Sequence, residues 1–220
     1  MNTLEQYIAD IQKNGLVIDT VFDIGAHKGW WSFPLKNGVL RDSFFYLFEA
    51  NPAHEAELKD TGFPYYLGVL SAPGRDTVEF YSIEGTGDSY YRENTKFYDN
   101  TVATTVSART LETVIKEATL PVPQLLKLDT QGSEIDILRG AESVLSLVDL
   151  VYLECPVLKY NAGAPSLTEY IDYMKSQNFM PSDVLEVHSH DKALIQIDMM
   201  FINITTKERL YGKDHTTRYL

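Results

Sequence analysis

Thiols are almost absent from this 220-residue sequence. Cys155 stands alone, which excludes an internal disulfide and any zinc cluster built on thiolates. That scarcity fits a reducing compartment. No apolar run approaches the ~20 residues that a membrane-spanning helix needs, and Glu5 and Asp10 fall where a secretion signal would carry its apolar stretch. The expected location is therefore the cytoplasm, with no membrane span. Positive charge is scarce as well. Lysine and arginine total 19 against 31 aspartates and glutamates, a net charge of −12. This argues against nucleic acid as a partner, because phosphate contacts require a basic surface.

What is present suits a folded protein. A content of 44% hydrophobic and 23% charged residues excludes a disordered chain or a fibre. At about 1.5 times the ~150-residue prior for one domain, residues 1–220 read as a single elaborated domain. Leu4, Tyr7, Ile8 and Ile11 share one helical face and Gly15 supplies a stop, so a leading helix is expected within residues 1–15. Apolar, strand-like runs follow at 17–24, 44–48, 65–70, 125–128 and 150–153.

Helix signals lie between these runs. Asn51 is placed to cap a helix opening at Pro52. Thr110 precedes the inward face of Leu111, Val114 and Ile115, and Ser133 precedes Ile135, Leu138 and Val144. Ser166 and Glu169 form a capping-box pair ahead of the stripe Leu167, Tyr170, Ile171 and Met174. Such alternation predicts an α/β fold, a mostly parallel sheet with helices on both faces and ligands beyond the carboxyl ends of its strands. Runs at 184–187 and 195–204 have no helix between them and are expected to close the sheet as an antiparallel pair. Residues 77–83 alternate like a strand. Residues 84–105 are polar and irregular, and read either as an acceptor-side lid whose Tyr90 and Tyr91 present ring faces to a ligand or as a disordered insertion. The tail 205–220 is expected to be weakly ordered.

Three motifs carry chemistry. In Val21-Phe-Asp-Ile-Gly-Ala-His-Lys-Gly29 a strand runs into a turn whose glycines allow close approach to a ligand, beside a helix N-terminus suited to an anionic group. Position 27 is His, so the dinucleotide G-x-G-x-x-G pattern fails. Glu49, at the end of the second strand in Phe48-Glu-Ala-Asn-Pro52, is placed to accept hydrogen bonds from ribose hydroxyls, or alternatively to cap the next helix. Asp129, in Leu128-Asp-Thr-Gln-Gly132, falls at the carboxyl end of the fourth strand, where such sheets hold catalytic groups.

With these motifs in this order the sequence resembles the FkbM family of S-adenosylmethionine-dependent methyltransferases. The resemblance rests on Asp23 to Gly29, Phe48 to Pro52, Lys127 to Glu134 with Ile137 to Ala141, Leu150 to Glu154 and Ile195 to Phe201. It implies a class I methyltransferase (Rossmann-like) sheet of seven strands with one antiparallel closing strand. It further implies S-adenosylmethionine as cofactor and, as acceptor, an oxygen on a sugar, glycan or other hydroxylated small molecule. Carried over by position, Gly25 and Gly29 border the methionine end of the cofactor, Glu49 holds the ribose, and Gly68 and Val69 neighbour the adenine. Asp23, Ala26 and His27 complete the cofactor set, and Asp129 faces the reacting end. Asp129 is the leading general base, and Glu154 either assists it or joins it in holding a divalent metal.

His27 stands where the family typically has Asn and Gln131 where it usually has Glu. The second departure keeps open a cofactor-binding module without turnover. A nicotinamide-dinucleotide oxidoreductase is the further alternative, and it lacks its glycine fingerprint here. Amino-methylation of nucleic acid is disfavoured, since Asp129-Thr-Gln-Gly132 replaces the Pro-Pro motif of those enzymes. His188 and His190 have metal-like spacing but no evident third ligand and read as an exposed loop pair. Cys155 reads as a buried strand residue, and Trp30 and Trp31 as core residues at a helix start that Pro34 should keep short.

Overall fold

The computed structural model describes residues 2–83 and 85–212. Its main sheet has seven strands: β1 (Thr20–Ile24), β2 (Phe44–Glu49), β3 (Tyr65–Leu67), β7 (Leu125–Leu128), β8 (Leu150–Pro156), β9 (Phe179–His190) and β10 (Ala193–Asn203). The spatial order is β3-β2-β1-β7-β8-β10-β9, with only β10 antiparallel to its neighbours. Between β3 and β7 a second, three-stranded sheet forms from β4 (Val69–Leu70), β5 (Thr77–Phe80) and β6 (Thr104–Arg109). The run read as one strand over 65–70 is thus two. It breaks at Gly68 because Val69 and Leu70 leave β2 to pair with Ala108 and Arg109.

Side-chain alternation divides the core. Phe22, Ile24, Leu126, Leu128, Val151 and Leu153 face one apolar cluster, which α4 (Leu111–Ala118), α5 (Glu134–Arg139), α6 (Glu142–Leu145) and α7 (Leu167–Ser176) cover. Val21, Leu125, Leu150 and Tyr152 face the other, under α1 (Leu4–Lys13) and α2 (Ser32–Asn37). Helix α1 is closed by a Thr3–Gln6 capping box and α7 by Ser166–Glu169. Asn51 Oδ1 accepts from Ala53 N and opens the short 3-10 turn Pro52–His54 that leads into α3 (Glu55–Thr61).

Three expectations need correction. Trp30 is 67% exposed, since α2 starts only after it and turns its ring outward. Residues 205–211, expected to be weakly ordered, belong to helix α8 (Ile204–Tyr211), which Asn203 caps through Thr205 N; residues 213–220 lie outside the described ones. His188 and His190 end strand β9 instead of lying in a loop. Among the described residues no helix is long and apolar enough to cross a membrane.

One charge pair lies inside this sheet. Asp23 and Lys127 are register partners on β1 and β7, so both side chains point to the same face. Lys127 Nζ lies 2.9 Å from Asp23 Oδ1 and donates to Gly25 O at 2.9 Å, and Ser32 Oγ donates to Asp23 Oδ2 at 2.7 Å. Burial opposes the ammonium's charge, but Asp23, Asp129 and Glu154 outweigh it and hold Lys127 above the usual lysine range. Asp23 Oδ1 receives no other hydrogen bond, so the ammonium alone compensates it. Lys127→Met is expected to cost about 3–5 kcal/mol by stranding that carboxylate. Adding Asp23→Asn should recover part of the loss in chemical denaturation, whereas a double variant as unstable as Lys127→Met alone would rule the pairing out.

The turn after β1 leaves no room for a side chain. Gly25 has φ of 75°, and a Cβ there would lie 1.8 Å from the carbonyl oxygen of Asp129. Gly62, at φ of 74°, faces open space. Gly25→Ala should therefore lose more than ~3 kcal/mol or fail to fold, against about 1 kcal/mol for Gly62→Ala, as read by thermal or denaturant unfolding.

Candidate functional site

Strand order reverses between β1 and β7, because the chain leaves β1 toward β2 and returns to β7 on the other side. A cleft opens at that point, beyond the carboxyl ends of the strands. It encloses about 720 Å³ of empty space, counting its open mouth. Ile24, Phe48, Val69, Leu70, Phe80 and Ile137 provide apolar walls, and Gly25, His27, Glu49, Gly68 and Asp129 also line it.

Glu49 ends β2 and is 6% exposed. Its Oε2 accepts from His27 N at 2.7 Å and its Oε1 from Asn51 N at 2.7 Å, so it fastens the first motif to the second while facing the cleft. Glu49 does not cap the next helical turn, a role that falls to Asn51, whose side chain accepts from Ala53 N. Burial pushes its carboxyl up to about 7, against the opposing pull of the two backbone N–H groups. His27 sits in the left-handed region with φ of 51°. Its ring meets the ring of His54 at 4.1 Å, and burial, His54 and Lys28 lower its pKa.

Asp129 projects from the end of β7 with its side chain 40% exposed. Its Oδ2 lies 3.6 Å from Lys127 Nζ, and its Oδ1 accepts from Gln131 Nε2 at 3.2 Å. The same amide donates to Glu154 Oε2 at 2.7 Å, and Gln196 donates to Glu154 Oε1. Gln131 thus occupies the place between two carboxylates where a shared metal would sit. Glu154 is half-buried, and desolvation together with the charge of Asp129 raises its carboxyl well above the usual range.

Gln131 reaches both carboxylates because the backbone turns sharply, with φ of 55° at Gln131 and 104° at Gly132. Glu134 stabilises that turn from below, accepting from Thr130 N at 2.7 Å, from Gly132 N at 3.0 Å and from the Tyr170 hydroxyl. The positioning role of Glu134 was not evident beforehand, although an acidic residue two after a glycine in a strand-to-helix turn was the available signal.

The remaining sequence candidates lie around the cleft. Asp23 sits beneath its floor, spent on Lys127 and Ser32, because strand parity turns it toward α2. Ala26, Gly29 and Glu154 are not among the described lining residues either. Residues 85–90, inside the segment read as an irregular lid, cover the cleft between Glu49 and Gln131. Asp88 Oδ2 accepts from Asn51 Nδ2 at 2.7 Å, and Ser89 Oγ donates to Gln131 O at 2.9 Å. Tyr91 donates to Asp136 Oδ2 at 2.8 Å, and Arg75 pairs with the same oxygen at 2.7 Å. Asp136, absent from the sequence candidates, therefore anchors this cover to α5.

The model of the methyltransferase FkbM domain matches residues 23–181. By structure the chain is similar to an FkbM methyltransferase from Methylobacillus flagellatus KT, at 15% identity and a TM-score of 0.52, covering 83% of this chain and 43% of that one. It thus spans less than half of that protein's length. It is also similar to magnesium protoporphyrin IX methyltransferase from Synechocystis PCC 6803 with bound S-adenosylmethionine, at 9% identity and a TM-score of 0.51, covering 91% of this chain and 76% of that one. No curated protein matches the chain. A family match over most of the sequence, on a seven-stranded sheet in the order of the class I methyltransferases, establishes that this chain belongs to the FkbM methyltransferase family.

Proposed function

We propose that this chain transfers a methyl group from S-adenosylmethionine to a hydroxyl oxygen of a sugar, glycan or other hydroxylated small molecule. The observation that carries this reading is the division of one cleft into an apolar end with a buried carboxylate, Glu49, and a polar end lined by Asp129 and Gln131, whose amide is held from behind by Glu154. Val69, Phe48 and Phe80 suit an adenine ring, and Glu49 retains acceptor capacity toward ribose hydroxyls. The Synechocystis neighbour's bound S-adenosylmethionine supports the same ligand here.

S-adenosylmethionine supplies, when bound, an electrophilic methyl on a sulfonium whose departure leaves a neutral thioether. The chain's own work is to hold an acceptor hydroxyl in line and to remove its proton. Asp129, half exposed at the strand end, is the group that meets the hydroxyl and takes the proton. Glu154, half-buried behind it, acts as a positioning residue through the Gln131 amide. Gln131, which lines the cleft, adds an amide group of the kind that hydrogen-bonds polyhydroxyl ligands.

Asp129→Asn keeps the shape but cannot accept the proton. With a verified acceptor, kcat should fall by about 10² to 10⁴-fold while cofactor affinity changes little. Release of S-adenosylhomocysteine reads this out, and near-normal turnover would remove the base assignment.

Glu49→Gln should weaken S-adenosylmethionine binding about 10 to 100-fold, from the loss of charge-assisted hydrogen bonds. The pH dependence has a definite sign. Ribose hydroxyls donate to the ionised carboxylate, so binding releases a proton near the raised pKa of about 7. Affinity should therefore climb from pH 6 to pH 8, at most roughly tenfold per unit below that pKa. Calorimetry in buffers of different ionisation enthalpy measures the proton, and a wild-type profile as flat as that of Glu49→Gln would exclude Glu49 from the ribose site.

A further inference from the structure

A polar cluster outside the cleft lies on the closing hairpin. Asp198 on β10 is the register partner of Glu186 on β9, and His188, two residues further along β9, shares that face. His188 Nε2 lies 3.4 Å from Asp198 Oδ2 and 3.6 Å from Glu186 Oε2, and ligand atoms of all three residues fall within 4.8 Å of one another. We infer that Glu186, His188 and Asp198 bind a zinc-type divalent cation.

The distances favour an ion over a plain ion pair. An imidazolium donating to a carboxylate closes to about 2.7–2.9 Å. Ligand atoms around a tetrahedral ion with bonds of about 2.0–2.1 Å are separated by roughly 3.4 Å, close to the 3.4 and 3.6 Å spacings from His188 Nε2.

Asp198 supplies the independent observation. It is 8% exposed, and its Oδ1 is buried without a hydrogen-bond partner, a condition that costs free energy unless a cation or a donor meets it. Its Oδ2 accepts from the Tyr152 hydroxyl at 2.8 Å, the kind of outer contact that orients a ligating carboxylate.

One imidazole and two carboxylates suit Zn²⁺ better than Mg²⁺, which prefers an all-oxygen, heavily hydrated shell. Three protein ligands leave a position for an outside oxygen, and the half-exposed His188 and exposed Glu186 keep that position open to solvent. Asp198 is also the register partner of Glu154, which places the cation beside the polar end of the cleft.

The test uses tag-free full-length protein, stripped with a chelator and titrated with ZnCl₂ by calorimetry. One Zn²⁺ per chain is expected with a Kd on the order of micromolar or tighter, unaffected by millimolar Mg²⁺. His188→Ala and Glu186→Gln should each weaken it at least about tenfold while leaving the metal-free melting curve unchanged, because both side chains are partly exposed. His190→Ala, at a side chain 84% exposed and outside the cluster, should have no effect. Co²⁺ in place of Zn²⁺ should give the visible absorption of a tetrahedral site, lost in His188→Ala. A Kd weaker than about 100 µM, binding that survives His188→Ala, or equal loss in His190→Ala would overturn the site. None of these readouts depends on S-adenosylmethionine or on turnover, so the two assignments fail separately.

Discussion

The buried ammonium of Lys127 is the constraint on which the rest of the cleft depends. It sits in an apolar sheet, where an unpaired charge is untenable, and its partners are the carboxylate of Asp23, the carbonyl of Gly25 and, at 3.6 Å, the carboxylate of Asp129. Those three groups belong to two adjacent strand ends and to the turn after β1. Satisfying one charge therefore sets the relation between the turn and the carboxylate of Asp129. Gly25 completes the arrangement from the other side, because only a residue without a side chain lets the two backbones touch.

A second layer of order stands on the first. The turn at Gln131 and Gly132 is held by Glu134 from beneath and touched by Ser89 from above. Ser89 also receives a hydrogen bond from Tyr91 N, and the Tyr91 hydroxyl reaches Asp136 on α5. The cover and the turn at Gln131 and Gly132 are thus parts of one hydrogen-bonded network. Asn51 joins it at the far end, where it caps the turn after β2 and holds Asp88.

Much of this was legible in the sequence, for identifiable reasons. Strands buried on both faces betray themselves as apolar runs, capping residues are local signals, and Glu49 and Asp129 end strands whose positions those runs fix. The parts that were not legible depend on tertiary pairing. Strand β6 is polar along most of its length because it lies in a small, largely exposed sheet, so nothing separated it from the irregular stretch before it. Asp23 looked like a cofactor ligand because it adjoins the glycine turn, whereas its parity along β1 points it at Lys127. His188 seemed isolated because its companion Asp198 comes from the neighbouring strand ten residues later.

The polar end of the cleft has a consequence for what can approach it. Asp129 lines it, Glu154 stands behind the Gln131 amide with Asp198 and Glu186 on the adjoining strands, and the ammonium of Lys127 lies beneath the floor, already paired. In a chain of net charge −12 the field at that mouth is negative. An anionic molecule is therefore repelled during diffusional encounter, most strongly at low ionic strength, while an uncharged or cationic one approaches without that barrier. Long-range electrostatics thus sorts approaching molecules by charge before any contact sorts them by shape.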